Sequence, residues 1–294
     1  MNNEKARRKG LFVFRMQEYG VGYLFMLPWM IGFAAFVAFP VGWSLYNSFN
    51  TLYFRAGGFS YTWVGLENYK RVWFENSNYR IELITLLQEL AIIIPLILIF
   101  SFFVALLLNQ RFPGRGAMRA IFFLPVIFAT GQVVMELFTQ GAGELPFIEQ
   151  YNIEAIIHKN FDERTAASLV GILSQAVIIL WYSGVQILIF IAGFQTIPKT
   201  IYEAIRVDGA SPWESFWKIT FPAMVPFIGL NAVYTIVDLF TFPFNSILGI
   251  ITSNMFSPTT GYGYASAMAW LYFALVLLLL SVTLGLTYRA TKGR

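Results

Sequence analysis

The stretch that decides the fold is ITLLQELAIIIPLILIFSFFVALLL, residues 84–108, in which Glu89 is the only charged side chain. A helix needs about 20 consecutive apolar residues to cross the hydrocarbon core of a bilayer, which is about 30 Å thick. Because this run is longer than that and nearly uncharged, it predicts a transmembrane helix.

The composition of the whole chain extends this prediction. Of its 294 residues, 57% are hydrophobic and 12% are charged, whereas a soluble domain has about 45–50% apolar and about 25% charged residues. A soluble fold would lack the polar residues to cover its surface, and a disordered chain would leave this apolar surface unburied. The chain also has no cysteine, which excludes disulfides, thiol catalysis and cysteine metal sites. We therefore expect an integral membrane protein.

Apolar runs of similar length recur along the chain. Because each run is long enough to cross a bilayer, we predict an all-α membrane protein with about six transmembrane helices. Helices formed by the first and fourth runs would be longer than the bilayer is thick. Each run therefore fits a tilted helix or a helix that continues outside the bilayer. The predicted spans are Tyr19–Phe49, Ile84–Leu108, Ala117–Phe138, Ala167–Ile197, Ile219–Phe240 and Ala265–Tyr288.

The distribution of Lys and Arg predicts the orientation. With the N-terminus in the cytoplasm, fourteen of the twenty basic residues lie in cytoplasmic segments and six lie in the outer loops. This asymmetry obeys the positive-inside rule, so both termini are predicted to be cytoplasmic. The predicted organisation is a cytoplasmic segment over 1–18, a membrane domain over 19–288 and a cytoplasmic tail over 289–294. Because the positive charge is explained by topology, no nucleic-acid partner is expected.

The loop between the fourth and fifth spans is the most informative connection. Its sequence is IPKTIYEAIRVDGASPWESFWKITFP, residues 197–222. Thr200 is followed three residues later by Glu203, and Ser211 is followed by Glu214, and each pair is typical of a capping box at a helix start. The loop is therefore predicted to contain two short helices in succession.

A turn and an aromatic stripe complete this loop. Asp208 and Gly209, between the two predicted helices, are typical of a helix end and a tight turn. Trp213, Phe216 and Trp217 form an apolar stripe on the second helix. The stripe fits either an amphipathic helix at the lipid headgroups or a docking surface pressed into a cleft of a cytoplasmic partner. The sequence contains no phosphate-binding G-x-x-x-x-G-K-[ST] motif, so docking would suit a machine whose energy source is on another chain.

Polar side chains recur at helical spacing in the third, fourth and fifth predicted spans. Such faces, rich in amides and aromatic rings, suit a water-accessible cavity for a sugar. The alternative is that these side chains hold helices together, at about 0.6 kcal/mol per hydrogen-bonded pair. The candidate cavity residues are Gln132, Glu136, Gln175, Trp181, Tyr182, Gln186, Asn231, Tyr234 and Asp238.

The cytoplasmic loop resembles the EAA loop of ABC importer permeases, in particular those of the carbohydrate-uptake group, which includes maltose and glycerol-phosphate permeases. The third position of the motif departs from the name, since it is Ile205 where alanine is expected. An outer segment also departs, because no Gly-Gly-Pro precedes Ser257-Pro258-Thr259-Thr260. The resemblance extends over nearly the whole chain, through Leu27-Pro28, Phe39-Pro40, Gly65-Leu66-Glu67-Asn68-Tyr69, Gly114-Arg115-Gly116, Glu203-Ala204-Ile205 and Asp208-Gly209-Ala210.

The resemblance implies a type I ABC importer fold and a multi-pass position in the cell (inner) membrane of a bacterium or archaeon. It implies four kinds of partner: a second permease, with this chain as the first of the two, an ABC ATPase dimer, an extracytoplasmic solute-binding protein, and a sugar or oligosaccharide as substrate. ATP and Mg²⁺ would bind the ATPase subunits, with no cofactor or metal on this chain and no catalytic residue. The residues implied to couple this chain to the ATPase are Glu203, Ala204, Asp208, Gly209, Ala210, Trp213, Phe216 and Trp217.

Two other classes of function remain open at this point. A secondary transporter driven by an ion gradient would show internal repeats with interrupted helices in matching positions, and no convincing repeat is found. An intramembrane enzyme would need a catalytic or metal-binding constellation, and the chain offers one histidine, no cysteine and no such spacing. The resemblance therefore favours an ATP-driven importer subunit, with the secondary transporter as the alternative.

Overall fold

The computed structural model describes residues 22–55, 58–110, 112–128, 153–242 and 245–292. Within these ranges four helices are long and apolar enough to cross a membrane: Gly22–Ser48, Ser77–Asn109, Pro212–Phe240 and Gly261–Lys292. A fifth candidate is the pair Ile179–Gln195 and Lys199–Val207, which meet at a bend of 60°. The helical membrane fold predicted from the apolar runs is therefore confirmed, whereas the count of six and the orientation of the termini stay predictions.

The remaining predicted spans are also helical where they are described. Helix Arg115–Phe128 covers the first part of the predicted third span, whose remainder lies outside the described residues. Helix Glu163–Gln195 covers the fourth and begins a turn earlier than predicted, because Asp162 caps it. Oxygens of the Asp162 carboxylate accept hydrogen bonds from the backbone N–H and the hydroxyl of Thr165, at 3.2 and 2.6 Å. Short helices also form at Glu67–Lys70, Ile153–Asn160 and Ser246–Met255.

Two compact units divide the chain, Met1–Ser77 with Ile250–Leu271 and Asn78–Gly249 with Tyr272–Arg294. In the first unit, strands β1 (Asn50–Arg55) and β2 (Gly58–Trp63) form an antiparallel hairpin directly after the first span. This hairpin was not predicted, although its sequence carries a hairpin signal, since aromatic and β-branched residues stand on both sides of Gly57-Gly58.

The Gly65-Leu66-Glu67-Asn68-Tyr69 segment ties the hairpin to the first span. Nδ2 of Asn68 donates to the backbone carbonyls of Ser48 and Asn50, each at 2.9 Å, and the Asn68 side chain is buried. The Tyr69 hydroxyl lies 2.6 Å from the Ser48 hydroxyl. Gly65 has φ +58°, which favours glycine, and begins the turn into the short helix that carries Asn68. The motif thus closes the C-terminal end of the first span.

The same unit holds the start of the last helix against the hairpin. Gly263 lies directly against the backbone carbonyl of Asn50, in a position where a Cβ atom would collide with that oxygen. Nδ2 of Asn76 donates to the hydroxyl of Tyr264 at 3.0 Å, and the Arg71 guanidinium lies 5.3 Å from the centre of the Tyr264 ring. The close approach is between two backbone segments, and it is possible because glycine at position 263 has no Cβ atom.

The second unit has a core built mainly from three helices, Ser77–Asn109, Glu163–Gln195 and Phe221–Phe240. Phe102 lies at its centre, with ring centroids 5.3 Å from both Phe190 and Phe194 in edge-to-face geometry. The buried members of this core are Phe102, Ala105, Leu108, Ile187, Phe190, Ile191, Phe194, Ile197 and Met224. The core therefore joins the second, fourth and fifth spans where the fourth leads into the loop 197–222.

Candidate functional site

The first helix of the loop is Lys199–Val207, and its start differs from the prediction. Pro198 is the N-cap residue in an extended conformation, and no side chain caps the helix. The predicted capping box of Thr200 and Glu203 is therefore wrong. Because the helix begins at Lys199, Thr200 already lies inside its first turn and cannot act as the cap.

Gly209 ends this helix with a reversal of the chain. Its φ is +79°, in the left-handed region that side chains other than glycine rarely adopt. The N–H of Gly209 donates to the carbonyl of Arg206, and the N–H of Ala210 donates to that of Ile205, both at 3.1 Å. These two hydrogen bonds form a Schellman motif, so the predicted stop and turn at Asp208 and Gly209 are confirmed.

The second helix starts with the predicted capping box. The Ser211 hydroxyl accepts from the backbone N–H of Glu214 at 3.2 Å, and the Glu214 carboxylate accepts from the N–H of Ser211 at 2.9 Å. Pro212 occupies the first helical position, where its missing N–H is not needed. Lys218 lies 3.4 Å from the Glu214 carboxylate, one turn further on. The orientation of this helix is thus set at its first turn.

The aromatic stripe of the second helix divides between two environments. Trp213 and Trp217 are 69% and 46% exposed, and their rings meet edge to face at 5.5 Å. Phe216 turns inward and packs on Phe102 of the core, with ring centroids 6.1 Å apart. The outward surface therefore consists of the tryptophan pair, together with exposed residues of the first helix and turn. Those exposed residues are Lys199, Thr200, Ile201, Glu203, Ala204, Arg206, Val207, Asp208 and Gly209.

A pair of alanine substitutions separates the true cap from the false one. We expect Ser211→Ala to destabilise the second helix by about 1 kcal/mol, because the N–H of Glu214 loses its acceptor. Thr200→Ala is the control, and we expect no loss, since Thr200 caps nothing. Limited proteolysis of the purified protein within residues 197–222 measures both. Equal cleavage rates in the two variants would contradict the assignment.

Two of the candidate cavity residues lie buried between helices. Gln186 and Asn231 are fully buried, and Nδ2 of Asn231 donates to the backbone carbonyl of Gln186 at 3.3 Å. Nε2 of Gln186 donates to the hydroxyl of Thr235 at 3.1 Å, and Thr235 shares the polar face of the fifth span with Asn231. Within the described chain, Oε1 of Gln186 and Oδ1 of Asn231 have no hydrogen-bond partner. This burial favours the helix-packing interpretation for the two amides.

A second group of the candidates forms a half-buried polar and aromatic face. Tyr234 and Asp238 lie one turn apart on helix Phe221–Phe240 and therefore share a face. The Tyr182 ring packs edge to face on Phe242 at 5.7 Å, a neighbour not predicted from the sequence. Trp181, next to Tyr182, is likewise half-buried. This face offers a carboxylate, hydroxyls and aromatic rings in one place, which is the chemistry that binds a sugar.

The other three cavity candidates are not placed. Gln132 and Glu136 lie outside the described residues. The backbone of Gln175 lies in helix Glu163–Gln195, but its side chain lies outside the described part of the chain. Within the described ranges, no three His, Cys, Asp or Glu residues are grouped so as to hold a metal ion.

Comparison with known proteins identifies the family. The chain is 31% identical over 275 residues to the probable ABC transporter permease YesP of Bacillus subtilis, covering 87% of this chain and 86% of YesP. It is 28% identical to the multiple sugar-binding transport system permease MsmF of Streptococcus mutans, over 87% of this chain and 91% of MsmF. No family model matches. The chain belongs to the permeases of ABC transporters.

Similarity to solved structures shows the same fold. A chain of the bacterial alginate ABC transporter, solved in complex with an alginate pentasaccharide-bound periplasmic protein, superposes with a TM-score of 0.65. Its sequence identity is 19%, and the match covers 94% of this chain and 96% of that one. A second structure of an alginate importer gives a TM-score of 0.60 at 19% identity, over 93% and 96% of the two chains. The protein is therefore a membrane protein with the fold of an ABC importer permease, a subunit type that is not itself an enzyme.

Proposed function

We propose that the chain is a permease subunit of an ATP-driven, binding-protein-dependent importer of a sugar or oligosaccharide. The observation that carries the proposal is the exposed tryptophan pair beyond the Gly209 turn, on a chain that belongs to the ABC permeases. Relatives and structural neighbours support the substrate class. They include a trehalose/maltose permease of Thermococcus litoralis, 27% identical over 90% of this chain, and the alginate importer.

The assembled importer contains three further kinds of subunit in this proposal. A second permease pairs with this chain, which takes the place of the first permease. An ABC ATPase dimer binds ATP and Mg²⁺ at the cytoplasmic face, and an extracytoplasmic solute-binding protein delivers the sugar. Six spans over 19–288 place both termini, 1–18 and 289–294, in the cytoplasm, and the multi-pass chain lies in the cell (inner) membrane of a bacterium or archaeon.

In this proposal the loop over 198–222 couples the chain to ATP hydrolysis. Its exposed surface, made of the tryptophan pair with Glu203, Ala204 and Asp208, enters a cleft of the ATPase. Gly209 and Ala210 form the reversal between the two short helices. Phe216 connects the second helix to the core of the spans. Closure of the ATPase dimer on ATP is thereby carried into the membrane helices, which alternate between outward and inward access.

Sugar contacts are proposed on the face formed by Trp181, Tyr182, Tyr234 and Asp238. A carboxylate accepts hydrogen bonds from sugar hydroxyls, and aromatic rings pack on the apolar face of a pyranose. Gln132, Glu136 and Gln175 belong to the same proposed cavity by their spacing in the sequence. Gln186 and Asn231 remain candidates, although their burial favours a role in helix packing.

Removing the charge of Asp238 tests this face. A hydrogen bond to a charged group contributes about 1.5–3 kcal/mol, so we expect Asp238→Asn to lower uptake about tenfold or more. The control is Glu89→Gln, an exposed carboxylate in the second span, which we expect to leave uptake unchanged. Uptake is measured in proteoliposomes with the sugar that the cognate binding protein retains. Normal uptake by Asp238→Asn would remove the carboxylate from the site.

Co-purification tests the proposed function itself. The affinity-tagged chain is expressed together with candidate ATPase and permease partners, and the purified material is assayed for ATP hydrolysis. We expect a stable complex that hydrolyses ATP and takes up sugar only when ATP and the binding protein are present. Ion-gradient-driven uptake by the isolated chain would instead establish the secondary transporter.

A further inference from the structure

Two hydroxyl groups connect the two short helices of the cytoplasmic loop. The Tyr202 hydroxyl, on Lys199–Val207, lies 2.8 Å from the hydroxyl of Thr220, and Thr220 is buried. The Thr220 hydroxyl also donates to the backbone carbonyl of Ser215 at 3.4 Å. Because Thr220 has one hydroxyl hydrogen, this arrangement makes Tyr202 the donor to Thr220. The three groups thus form a chain of hydrogen bonds from the first helix to the second.

Thr220 lies at the end of a widened helical turn. Residues Phe216–Thr220 form a π-helix, and the N–H of Phe221 donates to the carbonyl of Phe216. Such turns occur mostly as single insertions in α-helices and are frequent at functional sites. The turn joins the second short helix, Pro212–Ser215, to the fifth span, Phe221–Phe240. The hydroxyl pair therefore fastens the first helix to the point where the second helix enters the span.

The Gly209 turn alone does not hold the two helices at a fixed angle. A Cβ atom added at Gly209 would meet no atom of the described residues within 4 Å, so none of their side chains braces the turn. Glycine also has more backbone freedom than any other residue. A push on the exposed surface would be absorbed at this turn unless a second contact linked the two helices.

Phe216 connects the two short helices to the membrane helices. Its ring packs on Phe102 at 6.1 Å and on Phe221 at 6.2 Å, and Phe102 in turn packs on Phe194. Because protein interiors are close-packed, a displacement of Phe216 has to displace Phe102 as well.

We propose that the Tyr202–Thr220 hydroxyl pair is a positioning contact that makes the two short helices one rigid body seated on Phe102. This inference rests on the proposed function. In it, motion of the ATPase reaches the second and fourth spans through Phe216, and the Gly209 turn does not absorb it. Tyr202 and Thr220 touch neither substrate nor nucleotide, and they act through the helices that they join.

Distance measurements between spin labels test the proposal. The native chain has no cysteine, so Gln110→Cys and Thr200→Cys, both exposed, label the end of the second span and the first short helix. The complete complex is measured in nanodiscs, first without nucleotide and then trapped with ATP, Mg²⁺ and vanadate. We expect one narrow distance distribution that is the same in both states. A wild-type distance that changes on trapping would overturn the rigid body.

Three substitutions test the hydroxyl pair within this measurement. We expect Thr220→Val and Tyr202→Phe each to add a second distance between the labels on trapping. The ratio of molecules at the second distance to molecules at the original distance should rise about two- to tenfold, which corresponds to the loss of one neutral hydrogen bond. Thr220→Ser keeps the hydroxyl and should restore the single distance. The double variant should be no worse than either single variant. Thr196→Val is the control, since the Thr196 hydroxyl donates within its own helix, to the backbone carbonyl of Gly193.

The outcomes separate this proposal from the proposed function. A complex that assembles, hydrolyses ATP and shows an unchanged distance in Thr220→Val and Tyr202→Phe would overturn the positioning contact alone. Failure of the wild-type chain to assemble with any ATPase would overturn both.

Discussion

Substrate uptake is expected to fall at least about tenfold when Gly209 is replaced by leucine, while the importer still assembles and hydrolyses ATP. The residue sits at φ +79°, and a side chain in this left-handed region costs roughly 1–2 kcal/mol. Relief of that strain would open the Schellman turn and separate the helix of Glu203 from that of Trp213. Uptake per ATP hydrolysed, measured in proteoliposomes, reports the loss of coupling.

Two variants isolate the backbone effect at this turn. Gly209→Asn should be milder than Gly209→Leu, because asparagine tolerates the left-handed region better than most residues. Gly249→Leu is the matched control, since Gly249 is exposed in a helix with open space around it and no positive φ. Normal uptake per ATP in Gly209→Leu would show that the turn is not part of the coupling.

Replacement of Gly263 by alanine is expected to reduce the amount of folded protein severely. The new Cβ atom would collide with the backbone carbonyl of Asn50, which cannot rotate away as a side chain can. Overpacking of this kind typically costs about 1–3 kcal/mol, and more where the neighbour is fixed. Asn50 is held by two sets of contacts, since its carbonyl accepts from Asn68 and its own side chain donates to the carbonyl of Tyr46. Size-exclusion chromatography and thermal unfolding of the detergent-solubilised chain measure the effect.

Gly285 supplies the control for this substitution. It lies in the same helix, Gly261–Lys292, with nothing within 4 Å of an added Cβ atom. Gly285→Ala should keep or raise the unfolding temperature, because alanine favours the helix over glycine by about 1 kcal/mol. Equal behaviour of the two variants would argue against a close approach of the backbones at Gly263.

Local patterns predicted the parts of the protein that depend on neighbours in the chain. The apolar run over 84–108 lies inside helix Ser77–Asn109, because a chain in a bilayer satisfies its own backbone hydrogen bonds most simply as a helix. The Ser211–Glu214 capping box also formed as predicted, because its hydrogen bonds join residues only three positions apart in the chain. The Thr200–Glu203 box has the same spacing and did not form, because Pro198 starts the helix earlier. Two capping boxes with the same spacing thus had different outcomes because of one neighbouring residue.

The composition of 57% hydrophobic residues, the long apolar runs and the Asp208-Gly209 turn were enough to establish a helical membrane protein with a paired-helix loop. Only the tertiary structure divided the aromatic stripe, packing the half-buried Phe216 on Phe102 and leaving Trp213 exposed. It also buried Gln186 between helices. Helical periodicity identifies side chains that share a face, whereas the surroundings of that face depend on helices distant in the chain, whose packing no local spacing encodes.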